Sequence, residues 1–346
     1  MKLGFRWYGE SDSIPLPYIH QIPNVTTVVT SIYSHKPGER WTYEELLAQK
    51  KLCLQNGLAM EVIESIPVSE EIKLGTKLGK KHIEVFKENL RLCAKAGVKV
   101  VCYNFMPVFD WLRTSLCHIN EDGSNSLSYS YDDFSKVDPS NLHLPGWDES
   151  YPPEQLQALL HTYQNVSHEQ LRRHLIDFLA QIIPVCEENN IKMAIHPDDP
   201  PWDVFGLPRV VSSEQDLDAI FEAVPSIYNG LTLCTGSLGA GKQNDVVHLA
   251  DKYSKQGRIH FLHLRNIRFE GDDGSFVESG HYDEAGSLDL AGVVKALVKN
   301  GFDGYVRPDH GRNIWGEKGK PGYGLYDRAL GCAYINGLFE MAEKGN

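Results

Sequence analysis

The sequence predicts an α/β fold, a single (β/α)8 TIM barrel, on three observations. Short apolar, β-branched runs alternate strictly with longer amphipathic ones, and the alternation yields eight of each. No GxGxxG turn follows the first apolar run, which removes the main support for the rival doubly wound sheet. The length of 346 residues suits one large barrel with insertions, although two ordinary domains would also fit it. We read 1–346 as one domain.

The elements follow in order. The first strand is expected at 2–7 (KLGFRW), and a short helical run near 15–21 leads to 25–31 (VTTVVTS), which is almost wholly β-branched. A helix over 42–56 precedes the strand 58–64 (LAMEVIE). The next helix, 79–96, stops at the glycine of AKAGVKV before the strand 98–104 (VKVVCYN). A long helix over 168–189 feeds the strand 191–196 (IKMAIH). In SSEQDLDAI a serine cap and acidic residues open the helix 213–224, and the strand 230–234 (GLTLC) follows. A helix over 243–255 precedes the strand 258–264 (RIHFLHL). The helix 289–299 stops at the glycine of VKNGFDG before the strand 303–309 (DGYVRPD), and a helix over 325–343 closes the chain. GSLGAGK (236–242) is like a phosphate loop only superficially, because the spacing is wrong and no Ser or Thr follows the lysine.

Two connections are too long for turns, 106–167 after the fourth strand and 265–288 after the seventh. Both follow a strand, so both emerge on the face where barrel active sites are built. Their aromatic and mixed polar content predicts ordered structure, with 106–167 forming part of a lid.

Composition narrows the function. A net charge of −12 argues against nucleic acid, which requires a basic face. No apolar run approaches the ~20 residues of a membrane span, and MKLGFRWYGE reads as a strand rather than a leader, so a cytoplasmic location is expected. The seven cysteines are scattered without a CxxC pair, as befits reduced thiols.

Four consecutive strands end on a metal-ligand residue type: His196 in AIHPDDPPW, Cys234 in LTLCTGS, His263 in FLHLRN and Asp309 in YVRPDHGR. Adjacent parallel strands lie about 4.8 Å apart, so side chains at matching heights converge over the barrel mouth. Singly, each of the four has a structural explanation. Together, two imidazoles, a thiolate and a carboxylate make a divalent transition-metal shell. Pro308 would stiffen the segment so that Asp309 holds the ion while His310 faces the bound molecule.

The two anionic ligands would cancel the ion's charge, so an anionic substrate needs further donors. Arg6, Arg265, Arg307 and Arg312 are the candidates, as bidentate partners for a carboxylate. A six-coordinate ion would keep two positions for a carboxylate oxygen and an adjacent hydroxyl, and would stabilise negative charge when a proton leaves the neighbouring carbon. Proton transfer requires an acid and a base. His310 is one candidate, and KPGYGLYDR offers Tyr323 in a rigid turn, with Tyr326 expected to begin the last helix and pack. These residues support a metal-dependent lyase or isomerase acting on a small anionic substrate with a carboxylate and an adjacent hydroxyl. A sugar isomerase or epimerase would dispense with the arginines. A phosphodiesterase would need more His and Glu ligands and a basic face, and a sensor would bind without turnover.

The stretches FRWYGESD, ESIPV, CYNFMPVFDW, HPDDPPW, GLPRVVS, LCTGSLG, HLR, RPDHGR and PGYGLYDRALG resemble mannonate dehydratase of hexuronate catabolism, from residue 5 to beyond 330. The resemblance implies a xylose-isomerase-like TIM barrel that converts D-mannonate to 2-keto-3-deoxy-D-gluconate with loss of water, using a divalent metal, usually Mn²⁺. Fe²⁺, Co²⁺ and Zn²⁺ would also suit a thiolate ligand. The family's metal ligands fall on His196, Cys234, His263 and Asp309, its catalytic histidine on His310 and its catalytic tyrosine on Tyr323. The stretch 120–167 is shorter than in some relatives, which bears on the lid. Tyr323 is expected to act as base, its pKa lowered by metal and arginine neighbours, with His310 as the acid; a homo-oligomer, a dimer, is the expected assembly.

Overall fold

Parallel strands that are apolar on both faces need cover inside and out, and closing the sheet on itself provides the inner cover. The computed structural model describes residues 1–137 and 152–345. Its strands are β1 (Lys2–Arg6), β2 (Val25–Thr30), β3 (Ala59–Glu64), β4 (Val100–Tyr103), β5 (Ser115–Ile119), β6 (Asn125–Tyr129), β7 (Lys192–Ile195), β8 (Asn229–Cys234), β9 (Ile259–His263), β10 (Ile267–Phe269), β11 (Phe276–Glu278) and β12 (Tyr305–Arg307). The closed barrel runs β1-β12-β9-β8-β7-β4-β3-β2, with every neighbouring pair parallel. A set of Val29, Val62, Val100, Cys102, Ala194, Phe261 and Tyr305 packs together from six of the barrel strands.

The eight expected strands are these eight, with shifted ends. The last strand stops at Arg307, so Asp309 and His310 lie beyond the ladder. The eight expected helices are also present, for example His168–Asn189 and Glu214–Ala223, the latter capped by Ser213 accepting from the Asp216 amide. The structure adds helices at Glu70–Lys73, Tyr131–Ser135, Pro153–Tyr163 and Thr235–Ala240. All but Pro153–Tyr163 are too short to show a helical period, and Pro153–Tyr163 lies in a stretch read as connection. The phosphate-loop look-alike GSLGAGK is largely the buried helix Thr235–Ala240.

The two long connections meet. β5 and β6 from the first, with β10 and β11 from the second, form an antiparallel sheet in the order β10-β11-β6-β5. β10 and β11 have three residues each, too few to register as alternation, and the five-residue β5 and β6 are mixed polar stretches (SLCHI, NSLSY) without a β-branched run, so this sheet was not readable in sequence. Of the expected lid, 106–167, residues 138–151 lie outside the described ones. Among the described residues no helix is long and apolar enough to cross a membrane.

The outer helices are held by apolar packing, and Phe178 shows its scale. Its ring is fully buried and meets Phe86 at 5.0 Å and Tyr103 and Phe105 at 6.0 Å. Phe178→Ala is expected to destabilise the protein by about 3–5 kcal/mol through lost burial and the cavity left behind. A shift of the urea midpoint at unchanged slope checks this.

Candidate metal centre

Register sets the heights of the predicted ligands. Cys234, the last residue of β8, pairs with His263, the last of β9, which pairs in turn with Arg307 at the end of β12. His196 comes one residue after β7, its amide donating to the Tyr103 carbonyl at 2.6 Å. Asp309 follows Arg307 by two residues. The structure brings these four together: one ligand atom from each of His196, Cys234, His263 and Asp309 lies within 4.8 Å of the others.

The donor set suits a divalent ion. His263 is fully buried, yet neither ring nitrogen has a hydrogen-bond partner. Such an imidazole is costly unless something fills the gap. His196 Nδ1 lies 2.7 Å from the Pro197 carbonyl, which can only accept, so Nδ1 carries the proton and Nε2 keeps its lone pair. Cys234 Sγ accepts from Ser237 Oγ at 3.1 Å. These four residues could hold a divalent metal.

Around the quartet lies a buried lattice of charge. Arg307 donates from Nε and Nη2 to Glu64, at 3.1 and 2.8 Å, and its Nη1 lies 2.7 Å from Asp309 Oδ1. Arg265 reaches Glu278 Oε1 at 2.8 Å, Asp199 Oδ2 at 3.1 Å and Ser237 Oγ at 2.9 Å. Arg113 binds Asp199 with two nitrogens, at 2.8 and 3.0 Å, and Glu278 at 2.6 Å. Burial alone would raise these carboxyls. Arg307 overrides it at Asp309 and Glu64, Arg113 at Asp199 and Arg265 at Glu278, so all four are held below the usual carboxylate range.

This corrects the expected role of three arginines. Arg265 and Arg307 are fully buried behind the cavity wall and committed to the acids just named. Arg312 is turned away, toward Asp122 and Asp327 at 2.9 and 3.0 Å. Of the four arginines only Arg6 lines the cavity. Tyr326 begins the last helix, as expected, but is 44% exposed rather than packed.

His310 and Tyr323 are paired: His310 Nε2 lies 3.1 Å from the Tyr323 hydroxyl. On its other side, His310 Nδ1 faces Glu278 Oε1 at 3.1 Å and Arg265 Nη1 at 2.8 Å. Gly322 lets the PGY turn adopt φ +76°, and a Cβ there would sit 2.7 Å from Leu127. Buried Arg328 pins the same turn, donating to the carbonyls of Tyr323 (2.7 Å), Gly324 (2.8 Å) and Arg6 (3.1 Å). Among the chain's own groups, burial first, then Tyr8 and Asp309, raise the Tyr323 phenol well above its ordinary value, and Arg307 pulls the other way, as expected of an arginine neighbour.

These groups open into a cavity of about 240 Å³, walled by His196, Asp309, His310, Tyr323, Arg6, Tyr8, Lys320, Asn104, Trp111 and others. That is a small-molecule volume. Sequence reasoning missed Tyr8, Glu64, Trp111, Asp199 and Lys320 on the wall and Glu278 behind it. Tyr8, Trp111, Glu64 and Asp199 sit inside the quoted stretches FRWYGESD, CYNFMPVFDW, ESIPV and HPDDPPW, so the signal was present but unread. Glu278 lies in SFVESG, with no pattern to betray it.

Comparison with known proteins is consistent along the whole chain. The family model for D-mannonate dehydratase (UxuA) matches residues 1–346. Mannonate dehydratase 2 of Halalkalibacterium halodurans is 49% identical over 342 residues, covering 98% of this chain and 99% of that protein. The crystal structure of mannonate dehydratase from Streptococcus suis serotype 2 superposes with a TM-score of 0.94 at 43% identity, covering 100% of this chain and 95% of that one. A xylose isomerase-like TIM barrel protein from Mycobacterium smegmatis, solved in complex with magnesium, shares the fold at 13% identity and a TM-score of 0.59, covering 95% of this chain and 88% of that one.

Proposed function

The chain belongs to the D-mannonate dehydratase family, hydro-lyases that convert D-mannonate to 2-keto-3-deoxy-D-gluconate and water, and from that premise we propose how its residues divide the reaction. His196, Cys234, His263 and Asp309 hold the divalent metal, Mn²⁺ in the first instance, with Fe²⁺ or Co²⁺ as substitutes. The observation that carries this reading is their convergence within 4.8 Å around a buried imidazole neither of whose nitrogens is hydrogen-bonded, the nearest carboxylate oxygens being Glu64 at 3.5 Å and Asp309 at 3.7 Å. When bound, the ion supplies Lewis acidity to the substrate's carboxylate and adjacent hydroxyl.

The chain's own residues handle the protons. The C2–H bond breaks, its electron pair forms C2=C3, and the C3–O bond breaks with hydroxide leaving. The enol that results loses the proton of its C2 hydroxyl and takes one at C3 to become the keto acid. Tyr323 is the base at C2 and His310 the acid at the C3 hydroxyl. To act as base the phenol must first lose its proton, and His310 Nε2 at 3.1 Å is the acceptor in reach. One transfer along that bond makes both partners competent: a tyrosinate to take the C2 proton and an imidazolium to protonate the leaving hydroxyl. His310 Nδ1, the other ring nitrogen, sits between Glu278 Oε1 at 3.1 Å and Arg265 Nη1 at 2.8 Å, which fix the ring's orientation.

Arg6 is the substrate-facing arginine, while Arg265 and Arg307 fix the acids from behind and Arg312 stands apart. Trp111, in the stretch read as the lid, lines the cavity with its ring 6.2 Å from His310, which supports a covering role for the described part of 106–167. A cytoplasmic homodimer completes the reading, in keeping with cysteines that are all free.

The test is metal removal and return. Chelated, metal-free protein is expected to give no 2-keto product from D-mannonate, and Mn²⁺ to restore it better than Mg²⁺ or Zn²⁺, with NMR identifying the deoxy-keto acid. Full turnover by protein shown to contain no metal would overturn the assignment. An isomerised product that kept its C3 hydroxyl would favour the isomerase reading.

A further inference from the structure

Once Arg265, Arg307 and Arg312 are accounted for by their acids, two cations remain on the cavity wall, Arg6 and Lys320. Arg6 makes one long hydrogen bond, to the Val29 carbonyl at 3.4 Å. Lys320 makes none, and among the described residues neither cation has a carboxylate within ion-pair distance. Both lie over one aromatic ring: the Arg6 guanidinium carbon is 4.6 Å and the Lys320 ammonium 3.5 Å from the centroid of Tyr8. The same ammonium lies 5.6 Å from the ring of Tyr323.

Two like charges brought to one ring repel each other, and the ring's quadrupole offsets only part of that cost. An anion between them would relieve it. From this juxtaposition, and resting on the dehydratase reading above, we infer that Lys320 is a specificity residue that, with Arg6, selects the ionised carboxylate of the sugar acid over an uncharged sugar of the same shape. Tyr8 is their common platform. Arg6 is fixed on a barrel strand and held from behind by Arg328, whereas Lys320 sits on the turn that also carries Tyr323, its ammonium against the Tyr8 ring although the residue as a whole is exposed. The carboxylate would thus be gripped from two separate segments. The ordinary alternative is a solvated surface lysine, but such a lysine has no reason to lie over the same ring as an unpaired arginine beside the catalytic tyrosine.

The lysine's surroundings add a pH signature. Burial against the rings of Tyr8 and Tyr323, then Arg6 and Arg328, draw the ammonium down to about 8, with Asp12 opposing. A cation with a lowered pKa is present below that value and lost above it. Anion binding should therefore weaken as the pH rises through about 8.

The experiment uses the Mn²⁺-loaded full chain with D-mannonate and its neutral isostere D-mannonamide. Turnover of D-mannonate by the unsubstituted protein comes first, since its failure would count against the dehydratase reading alone. Lys320→Met is expected to raise KM for D-mannonate about tenfold or more, with kcat much less affected. The preference for the acid over the amide in kcat/KM should narrow by a similar factor. Lys320→Arg should restore KM to within about threefold and abolish its rise above pH 8. An unchanged KM and an unchanged acid-to-amide preference in Lys320→Met would overturn the inference. So would a loss confined to kcat, which would place Lys320 in the proton chemistry.

Discussion

Tyr323→Phe is expected to lower kcat by about 10²–10⁴-fold, the range for loss of a positioned proton-transfer group, while D-mannonate and Mn²⁺ still bind. The variant keeps the ring that packs edge-on against Tyr8 and His310, at 5.1 Å in each case. It removes only the hydroxyl that lies 3.1 Å from His310 Nε2. On the roles proposed above, removing that oxygen removes the base at C2 and the partner that charges His310. Calorimetric titration of substrate and metal content separate this outcome from a binding defect. Near-normal turnover would remove Tyr323 from the mechanism. His310→Asn should lose turnover to a similar degree, and the double variant little more, because the two residues act as one unit.

Arg265→Met should be the most damaging single change to the framework. Arg265 is fully buried and serves Glu278, Asp199 and Asp309 at 2.8, 3.1 and 3.5 Å. The helix Thr235–Ala240 comes so close to it that a Cβ at Gly236 would sit 2.2 Å from its Nε. Removing the cation leaves buried carboxylates short of positive charge, a lesion of about 3–5 kcal/mol. The loss should also depend on pH. Asp199 and Glu278 are held below their unfolded pKa values, Asp199 chiefly through Arg113 and Glu278 through Arg265, both against burial. They therefore contribute stability that is present above the unfolded value of about 4 and fades as the pH falls. With Arg265 gone the depression shrinks. Urea midpoints measured from pH 6 down to about pH 2 should show the variant's deficit narrowing toward acid, below the unfolded value of about 4. A deficit that stayed constant would mean that packing, not charge, is what Arg265 supplies.

How far the sequence spoke depended on the range of the physics involved. Strand ends are local: the runs ending at His196, Cys234, His263 and Asp309 were readable one by one, and parallel register then forced them to a common height. The PGY turn with Tyr323 was readable for the same reason. Partnership is not local. Whether Arg265 meets a substrate or an acid depends on Asp199, 66 positions away, and Arg113 meets Glu278 across 165 positions. A guanidinium shows no sign in sequence of which carboxylate it has found. Lys320 was overlooked for the opposite reason, since a lysine among glycines in EKGKPGYG reads as solvated loop until the ring beneath it is seen.

The small antiparallel sheet carries a consequence for anyone exchanging parts between related barrels. β6 comes from one excursion and β11 from the other, and they pair edge to edge through Tyr129 with Phe276 and Ser128 with Val277. Glu278, which backs His310, ends β11, while Arg113, which steadies Glu278, belongs to the excursion that carries β6. A chimera that imported one excursion alone would bring half a hinge to a foreign post. The two must be transplanted as a matched pair, or the histidine loses its support although every residue of the metal quartet is still in place.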